Sequence, residues 1–368
     1  MQSFQQEIEK IWARRWESAP YQTLLQVKNS LNDRKLVLYG AGRLARVFWD
    51  MCVELQIPVA EIWDKNVQGI FESAGLPITY PPKQAAEEYS DVMILVCSHS
   101  FNDEICEDLL KKGFQKEQVI SCLCKNPYFG IEKKNIEGYE WAFNFFVDDL
   151  SKQLVLDKYA LHTMDKYLSP NTQAECYYED YLTFGDGEVF IDGGAYIGDS
   201  AERFAQRQNG KYKHIYSFEP DAENFEKARE SLKCLPNVTL VPSGLWSKSG
   251  QMEFSHHDIS SSSSMFYLSK EYTSSTVSVI SLDEFFAEKS LEDYPTFIKM
   301  DIEGSEKEAL LGAQHIIQTK KPKLAICAYH KLEDIYELPQ TILRIRSDYR
   351  MILRQHLHGY VDTILYAT

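Results

Sequence analysis

The sequence predicts an α/β protein made of two Rossmann-like units, a smaller one at the N-terminus and a larger one at the C-terminus. Two observations support this prediction. Apolar strand patterns alternate with helical patterns along residues 35–123 and again along 186–368. Between them, residues 126–185 lose the strand pattern and are rich in aromatic residues and helix formers. We therefore expect domains at 1–125 and 186–368, joined by a helical bridge at 126–185.

Length and composition fit an ordinary globular protein with two domains. The chain has 368 residues, 44% of them hydrophobic and 25% charged, and single cores stop growing at roughly 250–300 residues. The net charge of −15 opposes contact with phosphates, so nucleic acid is not an expected partner. No apolar run reaches the ~18 residues of a membrane span. The first residues also lack the pattern of an export signal, so we expect a cytoplasmic protein.

The elements of the N-terminal unit follow from periodicity and turn residues. Helices are predicted at 3–18, 21–31, 43–55, 83–89 and 102–112. Strands are predicted at 35–42, 59–64, 91–98 and 119–123, with a Pro/Gly-rich loop at 66–82. Since the strands alternate with helices and include continuous apolar runs, we expect a parallel sheet covered on both faces.

The C-terminal unit repeats this alternation and then departs from it. Strands are predicted at 189–194, 214–220, 238–243, 296–301 and 323–329, with helices between most of them. The last two strand patterns, MILRQH and TILYAT, are separated by only about six residues. A parallel crossover needs a dozen or more residues, so these two strands must form an antiparallel hairpin.

A glycine-rich turn marks a candidate cofactor site in the C-terminal unit. Within IDGGAYIGDSAERF at 191–204, a strand ends at Asp192 and a helix begins near Gly198. Gly193 and Gly194 would allow the backbone to come close to a ligand. The helix N-terminus then offers free N–H groups to a polar or anionic group.

A carboxylate follows at the matching place on the next strand. About 22 residues after the turn, that strand ends in SFEP, which contains Glu219 and Pro220. An acid at this place can accept hydrogen bonds from both hydroxyls of an adenosine ribose. The glycine turn and the acid together predict an adenosine-containing cofactor.

Further motifs follow in order and together resemble one known family. They are DGGAYIG, FEPDAENFEKARESL, NVTLVPSGLWSKSGQMEF, VSVISLDEFF, IKMDIEGSEKEALLGA and KPKLAICAYHK. Over about 186–368 the chain resembles the FkbM family of S-adenosylmethionine-dependent methyltransferases, which usually methylate oxygen. A mostly parallel sheet with a terminal antiparallel hairpin is typical of class I methyltransferases, so we expect that fold for the C-terminal unit.

The resemblance implies S-adenosylmethionine as the cofactor and assigns residues to it. Glu219 would hold the ribose, beside Pro220. Ser243, Gly244 and Leu245 would border the adenine. The methionine end would be surrounded by the turn after the first strand of the unit, with Asp301 nearby; the residues of this turn are Asp192, Gly193, Gly194, Tyr196 and Gly198.

Methyl transfer to a hydroxyl also needs a group that accepts the proton. Asp301 and Glu303 follow the strand IKM, and His330 follows LAICAY. Since ligands bind at the C-terminal edge of such sheets, we expect these three side chains near the methyl group. Structural roles stay open for each: a helix N-cap for Asp301, first-turn compensation of a helix dipole for Glu303 and a solvated loop for His330.

Other candidates for acceptor binding lie in the serine-rich loop 256–266. His256 and His257 are two further candidate bases, and Ser260–Ser264 would bind a polyhydroxylated acceptor or form a flexible linker. No metal is predicted. An Asp/His pair suits a divalent ion, but so few ligands do not establish a site, and the eight cysteines have no metal-ligand spacing.

The N-terminal unit carries a second fingerprint. Gly40, Gly42 and Arg43 belong to a G-x-G-x-x-A turn between a strand and a helix, and Asp64 ends the next strand. This is the outline of a dinucleotide site. Three interpretations stay open: NAD, a nucleotide-sugar or another nucleotide, or no ligand in a module for docking or homo-oligomer formation.

The sequence therefore favours an O-methyltransferase that acts on a hydroxyl of a sugar, glycan, nucleotide-sugar or similar small-molecule acceptor. One alternative is an NAD- or nucleotide-sugar-dependent enzyme of carbohydrate modification centred on the N-terminal fingerprint. That unit lacks an obvious Tyr-x-x-x-Lys pair or cysteine nucleophile beside the turn. A second alternative is a non-catalytic nucleotide-binding protein.

Overall fold

The computed structural model describes residues 3–85, 89–98, 101–121, 136–164, 168–255 and 274–368. The chain divides into two compact units, one of Met1–Lys134 with Leu156–Tyr167 and one of Asn135–Val155 with Leu168–Thr368. Both are mixed α/β units with largely parallel sheets, as predicted. The predicted bridge contributes residues to both units. Among the described residues, no helix has the length and apolar character needed to cross a bilayer.

The first unit has a six-stranded sheet. Its helices are α1 (Phe4–Ala13), α2 (Ala19–Leu31), α3 (Arg43–Glu54) and α4 (Asn102–Lys111). Its strands are β1 (Lys35–Tyr39), β2 (Val59–Trp63), β3 (Gly69–Phe71), β4 (Leu76–Thr79), β5 (Val92–Val96) and β6 (Val119–Ile120). The order is β3-β4-β2-β1-β5-β6, and every neighbouring pair is parallel except β3 with β4. The prediction of a parallel sheet is confirmed, apart from this edge.

The loop predicted at 66–82 is wrong in part, because it contains β3 and β4. Gly75 has a φ of +65° in the turn between them, a conformation that costs glycine little. Phe71 is buried in the core of the unit, which fixes the hairpin against it. In the helix predicted at 83–89, residues 83–85 are not helical and 86–88 lie outside the described residues.

The second unit has a seven-stranded sheet preceded by two helices. These helices are α5 (Ile136–Phe145) and the start of α6 (Asp149–Met164). The strands of the main sheet are β7 (Glu188–Gly193), β8 (Tyr212–Phe218), β9 (Val238–Val241), β13 (Phe297–Met300), β14 (Lys323–Cys327), β15 (Met351–Gln355) and β16 (Thr363–Ala367). A small second sheet consists of β10 (Gly244–Leu245), β11 (Gly250–Ser255) and β12 (Ser274–Ile280).

Helices connect the strands of this unit. They are α7 (Asp199–Arg207), α8 (Ala222–Leu232), α9 (Leu282–Phe285), α10 (Glu306–Leu311), α11 (Gln314–Lys320) and α12 (Asp334–Ile345). The order of the main sheet is β15-β16-β14-β13-β7-β8-β9. The five strands from β14 to β9 are parallel, while β16 is antiparallel to both neighbours. The terminal antiparallel hairpin is thereby confirmed.

This strand order explains where a ligand site forms. From β7 the chain continues to β8 and β9 on one side, and later returns to β13 and β14 on the other. Loops therefore diverge at the C-terminal ends of β7 and β13, which leaves a crevice at that edge. All six residues of β7 and all four of β13 are buried, which is why both strands were visible in the sequence as apolar runs.

Gly194 controls how closely the loop after β7 approaches the end of β13. Its φ is +75°, and a Cβ there would lie 1.9 Å from the backbone oxygen of Asp301. We expect Gly194→Ala to lower the free energy of unfolding by about 3 kcal/mol or more, from backbone strain plus the clash. Urea unfolding followed by circular dichroism measures this.

Gly187→Ala is the matched control. Gly187 has a φ of +83°, but no atom lies within 4 Å of the place that an added Cβ would take, so only the left-handed backbone cost of about 1–2 kcal/mol applies. If both variants lose the same free energy of unfolding, the close approach at Gly194 is not a constraint on the fold.

Candidate functional site

A cavity of about 300 Å³ opens in this crevice. Its walls come from the loop after β7, from α7, and from the ends of β8, β10, β12 and β13. Several residues expected from the sequence line it: Gly194, Tyr196, Glu219, Pro220, Gly244, Leu245, Asp301 and Glu303. The fold thus brings most of the expected cofactor residues and two of the expected catalytic carboxylates to one cavity.

Other expected residues lie behind the wall instead of lining it. A Cβ on Gly193 would lie 2.8 Å from Leu245, and one on Gly198 would lie 2.9 Å from Leu232. These glycines are therefore required by packing within the protein, and their contact with a cofactor stays a prediction. Ser243, after β9, is likewise not among the lining residues.

Asp192 is fully buried beneath the glycine turn and forms an ion pair. Its Oδ1 lies 3.0 Å from Nζ of Lys299, a residue of β13 whose side chain is 2% exposed. The same ammonium donates to the carbonyl oxygens of Gly193 at 3.1 Å and Gly194 at 2.8 Å. Burial lowers the pKa of Lys299, but the carboxylates of Asp192 and Asp301 outweigh it and raise that pKa above its ordinary value. Lys299, which the sequence analysis did not single out, holds the turn from below.

Glu219 occupies the place that the sequence predicted for it, at the end of β8. Its side chain is buried, and its two oxygens accept backbone N–H groups of Tyr196 at 2.8 Å and of Asp221 at 2.9 Å. Burial raises the pKa of Glu219 to about 7, in spite of these two donors. Each carboxylate oxygen keeps a second lone pair, so Glu219 can accept further hydrogen bonds from the cavity.

Asp301 is held in place by two tyrosines that the sequence analysis missed. Its Oδ2 accepts from the hydroxyl of Tyr177 at 2.7 Å, and its Oδ1 accepts from that of Tyr329 at 3.0 Å. Burial raises the pKa of Asp301, but the charges of Lys299 and His330 and the Tyr177 hydrogen bond outweigh it and keep the pKa below its ordinary value. Asp301 is therefore an oriented, ionised carboxylate.

His330 lies behind Asp301, and it is not among the residues that line the cavity. Its Nε2 is 3.4 Å from Asp301 and 3.6 Å from Glu303, and its Nδ1 is 3.0 Å from Glu306. Burial lowers the pKa of His330, but the three carboxylates raise it to about 9. An imidazole that already carries its proton near neutral pH cannot take one from an acceptor, which argues against the base role expected from the sequence.

Glu303 differs from Asp301 in its partners and exposure. It has a φ of +56°, and its side chain is 36% exposed and faces the cavity. Burial raises its pKa to about 7, against the opposing charge of His330. Behind both carboxylates, Glu306 is fully buried and accepts the N–H of Ile302 at 2.9 Å. No sequence pattern pointed to Glu306, because its contact with His330 joins the start of α10 to the segment after β14.

The N-terminal fingerprint forms the turn that the sequence predicted. Gly40 has a φ of +113°, and the N–H of Ala41 donates to Asp64 at 2.8 Å. Gly42 precedes α3, which begins at Arg43. Which ligand this turn binds, if any, stays a prediction. The loop 256–266, with His256, His257 and Ser260–Ser264, lies outside the described residues.

Comparisons with known proteins find similarity to methyltransferases. Residues 192–360 match the family described as the methyltransferase FkbM domain. The hexuronic acid methyltransferase AglP of Haloferax volcanii is 30% identical over 136 residues, which cover 36% of this chain and 53% of that protein. The chain thus spans about half the length of this curated relative.

A solved structure extends the similarity in fold. The methyltransferase FkbM of Methylobacillus flagellatus aligns over 98% of this chain and 99% of its own, with a TM-score of 0.60 and 23% identity. At that identity the likeness concerns the fold alone. The sequence match over 192–360 lies within the C-terminal part of this chain, and that part is similar to the FkbM methyltransferase domain.

Proposed function

We propose that this protein transfers a methyl group from S-adenosylmethionine to a hydroxyl of a sugar-type acceptor. The proposal rests on the residues that line one cavity, which lies in the crevice at the C-terminal ends of β7 and β13. A strand-end acid, Glu219, lies in its wall together with two carboxylates at the end of β13, Asp301 and Glu303. The first suits a ribose, and the other two suit the reacting hydroxyl.

The lining of the cavity supports the proposed cofactor. A volume of about 300 Å³ lies at the lower end of the range for small-molecule sites. Glu219 can accept ribose hydroxyls beside the N–H of Tyr196. Leu245 and Val279 offer apolar surface beyond it for the adenine. Gly194 and Asp301 also line the cavity, and we assign the methionine end and the methyl group to their part of the wall.

The reaction then needs alignment and a proton acceptor. The acceptor oxygen attacks the methyl carbon as the bond from that carbon to the sulfonium breaks, which releases S-adenosylhomocysteine. The hydroxyl proton passes to a carboxylate. Tyr177 and Tyr329 already occupy Asp301, so we assign the proton to Glu303, whose side chain is exposed in the cavity. Asp301 would orient the hydroxyl.

The acceptor class is supported by one relative and by the lining. The relative from Haloferax volcanii is named for hexuronic acid, which carries several hydroxyls and a carboxylate. Acids and hydrogen-bonding groups of the cavity suit a polyhydroxylated molecule: Asp199, Ser200, Arg203, Asn224, Asp301 and Glu303. Arg203 could pair with an acceptor carboxylate, although it also contacts Asp199 at 2.6 Å.

Glu219→Gln should weaken the binding of S-adenosylhomocysteine by about 1.5–3 kcal/mol, the cost of losing hydrogen bonds to a charged group. With a pKa of about 7, Glu219 is ionised to ~10% at pH 6 and ~90% at pH 8, so wild-type affinity should rise up to about tenfold over that interval. The glutamine variant should lose this dependence. Isothermal titration calorimetry at both pH values measures it.

Glu223→Gln is the control for this test, because Glu223 is an exposed residue of α8 that pairs with Lys227. It should bind like the wild type at both pH values. A folded Glu219→Gln variant with wild-type affinity and an unchanged pH response would remove Glu219 from the cofactor site.

Glu303→Gln should lower turnover by about 10²-fold or more, the contribution of a positioned general base. Affinity for S-adenosylhomocysteine should change less than about threefold, because the interaction matters mainly in the transition state. Mass spectrometry with isotope-labelled S-adenosylmethionine measures turnover on uronic acids, neutral sugars and nucleotide-sugars.

The exposed acid Glu292 provides the control variant Glu292→Gln, which should keep wild-type turnover. Near wild-type rates for Glu303→Gln would contradict the proton assignment and leave the methyl transfer intact. Cofactor binding without methylation of any of these acceptors would contradict the acceptor class.

A further inference from the structure

A second set of potential ligands lies at the rear of the cavity, behind Asp301. Asp301, Glu306 and His330 each present one ligand atom, and these atoms all lie within 4.8 Å of one another. Nε2 of His330 is 3.4 Å from Oδ1 of Asp301, which is longer than a good hydrogen bond. Two ligands of one metal ion, each about 2.1 Å from it, have separations of this size.

Negative charge is in excess around this histidine. Three carboxylates, those of Asp301, Glu303 and Glu306, surround one imidazole. The neighbouring ammonium of Lys299 is already engaged with Asp192 and two carbonyl groups. Buried charge of one sign is costly unless a counter-charge is present.

Glu306 provides an independent observation that points to a missing partner. Its side chain is fully buried, and its Oε1 faces Nδ1 of His330 at 3.0 Å and accepts the N–H of Ile302. Its Oε2 is buried and has no hydrogen-bond partner within the described part of the chain. A buried carboxylate oxygen without a donor calls for a bound ion or water.

We propose that Asp301, Glu306 and His330 bind one divalent metal cation at the rear wall of the cavity, with His330 in its neutral form because the cation displaces the ring proton. Two carboxylates and one imidazole suit ions such as Mn²⁺, which accept mixed oxygen and nitrogen ligands. The cation would supply the missing positive charge and the missing partner of Glu306. Asp301 belongs both to this set and to the cavity lining, so the ion would be within reach of a bound acceptor.

The chemical role of the ion rests on the proposed function, whereas its binding does not. A metal-bound hydroxyl loses its proton more readily, so the ion would assist the transfer of the acceptor proton to Glu303. The sequence analysis predicted no metal, because Asp301 and His330 alone did not make a site. Glu306 completes the set only through the fold, since α10 places it against a residue that follows β14.

The test uses full-length protein treated with EDTA, desalted and titrated with Mn²⁺, with electron paramagnetic resonance to count free and bound ion. We expect saturable binding of one Mn²⁺ per chain. Glu306→Gln and His330→Gln should each weaken it at least about tenfold. Glu230→Gln changes an exposed acid that pairs with Lys233 on the surface, and it should bind like the wild type.

Several outcomes would overturn the proposal. Wild-type protein without saturable Mn²⁺ binding would show that these three side chains do not form a metal site. Unchanged binding in both folded variants would place the ion elsewhere. If circular dichroism shows that Glu306→Gln does not fold, Asp301→Asn replaces it with the same expected loss.

Calorimetry with S-adenosylhomocysteine on the same samples separates this proposal from the proposed function. If the wild type does not bind S-adenosylhomocysteine, the methyl-transfer proposal is contradicted. The proposal of a Mn²⁺ site is then still judged by the Mn²⁺ titration alone. With an acceptor that the wild type methylates, treatment with EDTA should lower turnover at least about tenfold, and added Mn²⁺ should restore it. Turnover that EDTA leaves unchanged would overturn the catalytic role of the ion.

Discussion

One buried ammonium group holds the site in its shape. Lys299 on β13 reaches under the turn after β7, where it pairs with Asp192 and donates to the carbonyls of Gly193 and Gly194. These two parallel strands are neighbours at the centre of the sheet, and the chain adds β8 and β9 beyond β7 but β14 beyond β13. The ion pair therefore fixes the walls of the crevice relative to each other. Removal of either partner would leave a buried charge uncompensated, at a cost of about 3–5 kcal/mol.

The positive charge of Lys299 also influences Asp301, which lines the cavity. Lys299 and His330 keep Asp301 ionised, and hydroxyls of Tyr177 and Tyr329 fix its orientation. Glu303, two residues further on, has no such pair of donors among the described residues and is more exposed. The site therefore combines one fixed carboxylate, suited to orienting a hydroxyl, with one adaptable carboxylate, suited to accepting its proton. Asp301 and Glu303 lie close together because they are two residues apart in the sequence. Their roles differ because their hydrogen-bond partners and exposure differ.

Local patterns in the sequence predicted those features of the fold and the site that depend on residues close together in the chain. Buried strands are continuous apolar runs, and a six-residue connection permits only an antiparallel hairpin, so β7, β13, β15 and β16 were predictable. The place of Glu219 followed from its spacing to the glycine turn. Tyr177 and Glu306 were not predictable, because each acts through a contact with residues of another segment of the chain. The loop at 66–82 contained two short strands that its Pro and Gly content concealed.

The two glycine turns show what such a fingerprint can establish. In the C-terminal unit, Glu219 accepts the N–H of the turn and the N–H two residues beyond itself. Asp64 makes the same two kinds of hydrogen bond in the N-terminal unit, with Ala41 and Asn66. A strand-end acid therefore stabilises the turn by itself, with or without a ligand. What gives the C-terminal turn a chemical role is the pair of carboxylates that β13 adds to its cavity, and these follow from the strand order of the sheet.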